Sequence, residues 1–345
     1  MQLADNGMKK GLTRRHFVRI SAAAAGVLAL GSIGLKELLL KGEVTRHSQT
    51  RPVMGTFVTI TIIDEDEARA SAAIEDSFAE INRLSAIMSR HDPASKLSIL
   101  NRTGQLSNAP GELVSVLELA QACSELTGGA FDVTVLPLVE LYPKHLAEYG
   151  TPPDEKVVAE VRKLVGYQRL ELKGRDIRLA EPGMAVTLDG IAKGYIVDQV
   201  AGLLRARGLT QVLVQAGGDM SLRGMRDDGQ PWRIGITHPR ALAGYYEVIE
   251  SSNGCITTSG DYEASFTADY SHHHIIDPRT GYSPTELASA TILASETAYA
   301  DALSTTAMVL GREAALALIE TLSGVEAFLI DKQLKSYASS GFRAA

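Results

Sequence analysis

Apolar and polar positions along the chain recur with two periods, and these divide it into elements. Residues 57–63 (FVTITII) are rich in β-branched side chains and predict a strand. From Glu65 to Met88 the apolar residues Ala68, Ala72, Ile74, Phe78, Ile81, Leu84 and Met88 fall close to helical spacing. Pro110 to Leu126 repeats that pattern, and Pro152-Pro153 opens a further helix running to about Leu164. Residues 167–188 read as short strands interrupted by Lys173-Gly174 and Pro182-Gly183. A helix from Ile191 to Arg207 ends at Gly208, and a buried strand from Gln211 to Gln215 runs into Gly217-Gly218. Residues 232–236, 246–250 and 255–258 predict strands, as does Ala288–Ala294. A long helix then extends from Thr297 to about Leu310, is stopped by Gly311, and is followed by a last helix and strand. Helices and strands come in runs rather than in regular alternation, which predicts an α+β fold with a mixed or mostly antiparallel sheet, not a doubly wound one.

The first 45 residues follow neither period. Thr13-Arg14-Arg15-His16-Phe17-Val18-Arg19 precedes Ile20–Leu35, sixteen residues without a charge. A basic stretch before an apolar one of this length is the pattern of a secretory signal, and paired arginines ahead of Phe17 point to the twin-arginine route. The export reading places the folded part in the periplasm. No cysteine lies near this segment, so lipid attachment is excluded there. The best small-x-small cleavage site, Ala29-Leu30-Gly31, is weak, which leaves an uncleaved segment anchored in the inner membrane as an expectation. Residues 1–45 are set aside as signal or anchor, and 46–345 as the folded region.

Charge sharpens the division. The chain of 345 residues carries a net −7, with +4 in residues 1–45 and −11 in the remainder. An acidic globule is a poor partner for nucleic acid, so any phosphate it holds must be met by glycine amides, a metal ion or a few placed cations. Two cysteines, Cys123 and Cys255, permit at most one disulfide and exclude a four-cysteine zinc site or an iron–sulfur cluster.

Five stretches interrupt the periodic patterns in ways that chemistry would require. Thr127-Gly-Gly-Ala-Phe-Asp132 places paired glycines before a strand-like run, fitting either an ordinary turn or close backbone approach to a ligand. Thr187-Leu-Asp189-Gly190-Ile-Ala-Lys193-Gly194 runs from a strand end through a glycine into a helix start, where free amides and Lys193 suit a phosphate, though the glycine spacing is not that of a P-loop. Gln215-Ala-Gly217-Gly218-Asp219 reads as a tight hairpin. In His272-His273-His274, placed on a strand, neighbouring side chains face opposite sides, so a zinc site lacks ligands. One buried catalytic histidine among exposed neighbours is the more economical picture, with Asp277-Pro-Arg279-Thr-Gly281 as the turn that pins the strand end. Asp301 and Thr305 are four apart on the long helix, so both oxygens share one face. They suit either a hard-oxygen Mg²⁺ or Ca²⁺ site, or an exposed Asp beside a Thr bonded to its own helix.

Together these stretches, with Met54-Gly55-Thr56, Met88-Ser89, Ser95-x-Leu97 and Asn101, Gly129-Ala-Phe-Asp132, Gly190-Ile-Ala-Lys193-Gly194-Tyr-x-x-Asp198, Ala216-Gly-Gly-Asp219, His274-Ile-Ile-Asp277-Pro-Arg-Thr-Gly281 and Ala300-Asp301-Ala-Leu-Ser-Thr305, resemble the ApbE family, the FAD:protein FMN transferases. The resemblance runs from about residue 52 to 311. It implies a T-fold-like α+β domain that binds FAD and Mg²⁺, cleaves the pyrophosphate, moves FMN onto a Thr or Ser of a partner flavoprotein and releases AMP. It places Asp301, Thr305 and the Gly190 carbonyl as metal ligands, and His274 as the base. Met54, His91, Ala130, Phe131, Asp132, Thr187, Lys193 and Ile275 fall where the family touches FAD. Two positions depart from the family: many members carry Tyr at the position of His91 and Asp at that of Thr187, whereas here the acid is Asp189. The signal, with the Thr-Leu-Asp-Gly wording, looks like members that serve nitrous-oxide respiration, and an exported or membrane respiratory flavoprotein is the implied acceptor.

Elementary chemistry runs parallel to the resemblance. Attack by a neutral hydroxyl on a dianionic pyrophosphate requires that charge to be offset, which a hard cation and Lys193 can do, while a histidine of near-neutral reference pKa suits a general base. The same residues would serve two other activities: hydrolysis of FAD to FMN and AMP with water in place of the acceptor, and non-catalytic FAD carriage.

Overall fold

The computed structural model describes residues 44–241 and 243–344. The expectations for Arg14-Arg15, for Ile20–Leu35 and for the cleavage site lie outside the described residues. Within those described, no helix is long and apolar enough to cross a membrane.

The chain order is β1 (Thr45–Val53), β2 (Thr56–Asp64), α1 (Glu67–Met88), α2 (Lys96–Thr103), β3 (Gln105–Leu106), α3 (Gly111–Leu126), α4 (Leu136–Tyr149) and α5 (Glu155–Arg162). A short 3₁₀ turn at Tyr167–Arg169 leads to β4 (Leu170–Lys173), β5 (Asp176–Leu179), α6 (Ala192–Ala206), β6 (Val212–Ala216), β7 (Asp219–Arg223), β8 (Trp232–Thr237), β9 (Tyr245–Ser251) and β10 (Asn253–Gly260). A segment without regular structure, 261–286, precedes β11 (Leu287–Ala294), α7 (Thr297–Leu310), α8 (Arg312–Ile319), β12 (Glu326–Asp331) and β13 (Ser336–Ala338).

An eight-stranded sheet in the order β1-β2-β6-β7-β10-β11-β12-β13 organises the molecule, and each of its ladders is antiparallel. The α+β expectation holds. Alternation along the central strands explains the layering. On β2 and β6, Val58, Ile60, Ile62, Val212 and Val214 face one side and pack with α1, α3 and α6. Ile63 and Leu213 face the other side, where they meet Trp232, Ile234 and Ile249 of the β8–β9 hairpin. A neighbouring cluster packs β11 and β12 against α7 and α8.

Helix α1 starts where Asp66 accepts a hydrogen bond from the Arg69 amide, and its stripe of Ile74, Phe78, Ile81, Leu84 and Met88 is buried. Helix α7 differs: nearly every residue from Thr297 to Val309 is buried, including Asp301, so it runs through the interior instead of along its surface. It crosses α6 at Gly194, where a Cβ would lie 2.5 Å from the Thr297 carbonyl oxygen. Asp198 of α6 accepts hydrogen bonds from the Thr297 and Ala298 amides at 2.8 Å each, capping α7 from a neighbouring helix.

Several sequence expectations change. The run after Gly129 is a turn leading into α4, not a strand, because Asp132 gathers the Thr134 and Tyr167 amides. Residues 180–188 form no strand beyond β5. His272–His274 does not lie on a named strand; one isolated bridge joins Ser265 to His273. Asp277 holds the following turn as expected, its carboxylate accepting from the Arg279 amide and guanidinium at 2.9–3.0 Å. Cys123 and Cys255 are both buried free thiols.

Candidate functional site

The first wall of the site comes from the turn into α6. Ile191 and Ala192 donate their amides to the Leu188 carbonyl, which turns the chain at Gly190 just before the helix. An amide four residues on would ordinarily close back onto the Gly190 carbonyl. Here the Gly194 amide instead donates to Asp301 Oδ2 at 3.2 Å. Among the described residues no donor meets the Gly190 carbonyl oxygen.

The second wall is the face of α7 that carries Asp301 and Thr305. A Cβ on Gly190 would sit 2.9 Å from Thr305 Oγ1, so the two chains are in close approach. Asp301 is 2 % exposed. Its nearest cation is Lys193, with Nζ 3.7 Å from Oδ2, but that ammonium lies closer to Asp219, at 2.5 Å. Asp219 is placed by the β6–β7 hairpin, whose Gly218 has no room for a Cβ against the Thr258 carbonyl. Burial raises the Asp301 carboxyl above the usual carboxylate range, and Asp219 adds repulsion that Lys193 only partly offsets. Burial works against the Lys193 ammonium, yet Asp219 and Asp301 outweigh it and hold the group charged. Two carboxylates therefore share one ammonium. A buried carboxylate, a hydroxyl and an unpartnered carbonyl, all oxygen, make a donor set that fits a hard divalent cation and not zinc. No cluster of three His, Cys, Asp or Glu suited to a metal occurs among the described residues.

The third wall is the irregular segment. His273, not His274, is the fully buried member of the triplet. Its amide donates to Ser283 Oγ at 3.0 Å, and its ring Nε2 bonds the Pro284 carbonyl at 3.0 Å. Those bonds fix the segment and leave the half-buried His274 ring facing the cavity, with its amide donating to the Ala264 carbonyl. Burial and the adjacent His273 push the His274 imidazole down to about 4, so it is neutral at physiological pH.

These walls enclose a cavity of about 1300 Å³. Pockets for drug-sized ligands measure roughly 300–1,000 Å³, so this space has room for a larger molecule. All twelve residues singled out in the sequence border it: Met54, His91, Ala130, Phe131, Asp132, Thr187, Gly190, Lys193, His274, Ile275, Asp301 and Thr305. Met54 holds a positive φ of 54° in the β1–β2 turn, and exposed His91 lies at the rim shared with a second cleft of about 630 Å³.

The geometry gives three of the acidic and basic groups definite partners. The Asp132 carboxylate is consumed by Thr134 and the Tyr167 amide, which makes it the keystone of its turn. Lys193 is not an uncommitted phosphate cation, because Asp219 engages it. Asp189, half-exposed, pairs with Arg90 at 2.7 Å across the cavity rim and not with any internal group. The sequence reading quoted Asp198 and Asp219 within the family motifs but gave them no role, and it passed over Ser259. Their contacts span 26 to 100 residues of chain, so no local pattern disclosed the partners.

Comparison with known proteins gives a consistent picture. The sequence profile of the ApbE family matches residues 54–329. The chain is 35% identical over 332 residues to the FAD:protein FMN transferase of Vibrio cholerae, covering 90% of this chain and 97% of that protein. It is 29% identical over 339 residues to the FAD:protein FMN transferase of Treponema pallidum, covering 92% and 93%. Among solved structures, the flavin transferase ApbE from Vibrio cholerae superposes with a TM-score of 0.77 at 31% identity, covering 87% of this chain and 98% of that one. The flavinyl transferase ApbE of Pseudomonas stutzeri gives 0.76 at 28% identity, covering 86% and 95%.

Proposed function

This chain belongs to the ApbE family, and from that premise we propose that it is an FAD:protein FMN transferase that requires Mg²⁺. In this reading the enzyme splits the pyrophosphate of FAD and joins FMN through a phosphoester to a Thr or Ser of an acceptor flavoprotein. The observation that carries the reading is the convergence of the Asp301 carboxylate, the Thr305 hydroxyl and the unpartnered Gly190 carbonyl on one cavity that His274 also borders.

The roles follow from chemistry. Asp301, Thr305 and the Gly190 carbonyl hold the cation. When bound, Mg²⁺ offsets the charge of the pyrophosphate and of the departing phosphate. The acceptor hydroxyl oxygen bonds to the phosphorus on the FMN side, the bond from that phosphorus to the bridging oxygen breaks, and AMP leaves with the electron pair. The hydroxyl proton passes to a ring nitrogen of His274, which is neutral and so able to take it. Lys193, held by Asp219, adds a fixed positive charge to the same wall. The turn at 129–132 and Met54 border the space for the remainder of the dinucleotide. The wide cavity leaves access for an acceptor segment.

The proposal extends to the cellular setting through Arg14-Arg15 and Ile20–Leu35: export by the twin-arginine route, a periplasmic catalytic region anchored at the inner membrane, and an exported or membrane respiratory flavoprotein as acceptor, with a nitrous-oxide respiration protein among the candidates.

The test is incubation of the protein with FAD, Mg²⁺ and candidate acceptors, followed by mass spectrometry. A gain equal to FMN on an acceptor Thr or Ser, with equimolar AMP, is expected. Rapid FMN and AMP release without any acceptor, and no labelling with one, would assign the protein as an FAD pyrophosphatase instead.

A further inference from the structure

Three hydroxyls lie in a row beside the proposed cation site. Ser259, at the end of β10, has Oγ 2.7 Å from Ser304 Oγ and 3.3 Å from Thr305 Oγ1. Ser304 Oγ also lies 2.9 Å from the Asp301 main-chain carbonyl oxygen.

The direction of these bonds can be worked out, because a carbonyl oxygen only accepts. The Ser304 proton is therefore committed to the Asp301 carbonyl. Ser304 then meets Ser259 as an acceptor, and the Ser259 proton is committed in turn. The oxygen of Ser259 is left to accept from Thr305. The Thr305 proton points at Ser259, so its lone pairs point elsewhere, toward the side where Gly190 and Asp301 stand.

We propose that Ser259 and Ser304 are positioning residues that fix the rotor of Thr305, presenting its lone pairs and not its proton to the cation. The inference rests on the metal reading given above and deepens it. A hard cation bonds an oxygen lone pair, and a hydroxyl proton turned toward it repels it, so the orientation of one rotor decides whether Thr305 is a ligand. Ser304 is fully buried, so water competes poorly for its bonds, while Ser259 is half-buried and borders the cavity.

The order of the relay gives a signed test. In Ser304→Ala the Ser259 proton loses its acceptor and turns onto Thr305, which forces the Thr305 proton toward the site. In Ser259→Ala the Thr305 proton is merely unheld. The double variant removes the source of the reversal. Mn²⁺ serves as the probe, titrated against the full chain with the free-ion electron paramagnetic resonance signal as readout, without turnover.

Ser304→Ala is expected to weaken Mn²⁺ binding by about tenfold, the low end of what loss of an outer-sphere partner costs. Ser259→Ala weakens it less, and the double variant returns to the Ser259→Ala level. Ser304→Cys, which fills the same space with a poor acceptor, moves affinity in the same direction as Ser304→Ala and serves if the alanine variant does not fold. Unchanged affinity in folded Ser304→Ala and Ser304→Cys, or a double variant weaker than Ser304→Ala, overturns the relay. Asp301→Ala and Thr305→Val separate this failure from failure of the metal reading. If they abolish Mn²⁺ binding while Ser304→Ala does not alter it, the relay alone is wrong; if they leave binding intact, the metal assignment itself falls.

Discussion

Replacing Gly194 by alanine tests the joint between structure and chemistry. The residue lies in the first turn of α6, where that helix crosses α7. A Cβ there would sit 2.5 Å from the Thr297 carbonyl oxygen and 2.7 Å from Ala298 Cα, both main-chain atoms with no rotamer to change. Ordinary contact begins near 3.4 Å, so the helices must part by about 0.9 Å to restore it. Asp198 ties the same turn of α7 back to α6 at 2.8 Å, so the separation works against those bonds as well. Overpacking of this kind costs about 1–3 kcal/mol. For a chain of this size that lowers Tm by roughly 2–6 °C. The larger consequence is positional. Asp301 is one turn further along α7 and is bonded to the Gly194 amide itself. A displacement approaching 1 Å carries the carboxylate away from Gly190 and is expected to lower the transfer rate by about 10²-fold. Circular dichroism melting and rates measured well below Tm separate the two effects. A Gly194→Ala protein with wild-type Tm and wild-type rate would refute the claim that this crossing sets the proposed cation site.

Other expectations follow from the same contacts. Lys193→Met leaves Asp219 and Asp301 facing each other without their shared cation; since Lys193 is about one-third exposed, the cost is about 1–3 kcal/mol rather than the full price of a buried pair, and Mg²⁺ should raise the melting temperature of the variant more than that of wild type. Asp198→Ala removes an acceptor from two amides at the start of α7 and should cost about 0.5–2 kcal/mol by urea unfolding. The His274 imidazole is held below its ordinary value, to about 4, and His273 is shifted the same way by burial. Both are neutral in the folded protein near neutral pH, so their contribution to stability is complete above about pH 6.5 and falls as pH drops from there toward 4, where the unfolded chain binds protons that the folded chain refuses, while the raised Asp301 carboxyl contributes with the opposite sign. His274→Asn should flatten that slope in a melting series from pH 7 to 4; an unchanged slope would count against a neutral His274 ring.

What the sequence disclosed followed period and proximity. β2, α1, α6 and α7 each carry a clean apolar repeat, and all four form within a few residues of the expected bounds. Asp301 and Thr305 were legible together because four residues make one helical turn. β1 was missed because TRHSQTRPV is a polar edge strand whose side chains stay at least partly exposed, so no alternation marks it. α4 was missed because Pro143 sits inside it. The histidine triplet was set on a strand, yet side-chain bonds from Ser283 and the Pro284 carbonyl hold it in an irregular path that no periodicity encodes. The pairing of Lys193 with Asp219 and the hydroxyl row at Ser259 join distant segments, and residues so far apart in the chain carry no shared local signal.

Helix α7 has almost no outward side. The groups that would grip the ion are thus installed by the same packing that makes the interior, and neither can be altered alone. Retuning the proposed ion site would mean redesigning the centre of the molecule, whereas the rim near Arg90 and His91 offers ground where changes in recognition come without disturbing the scaffold.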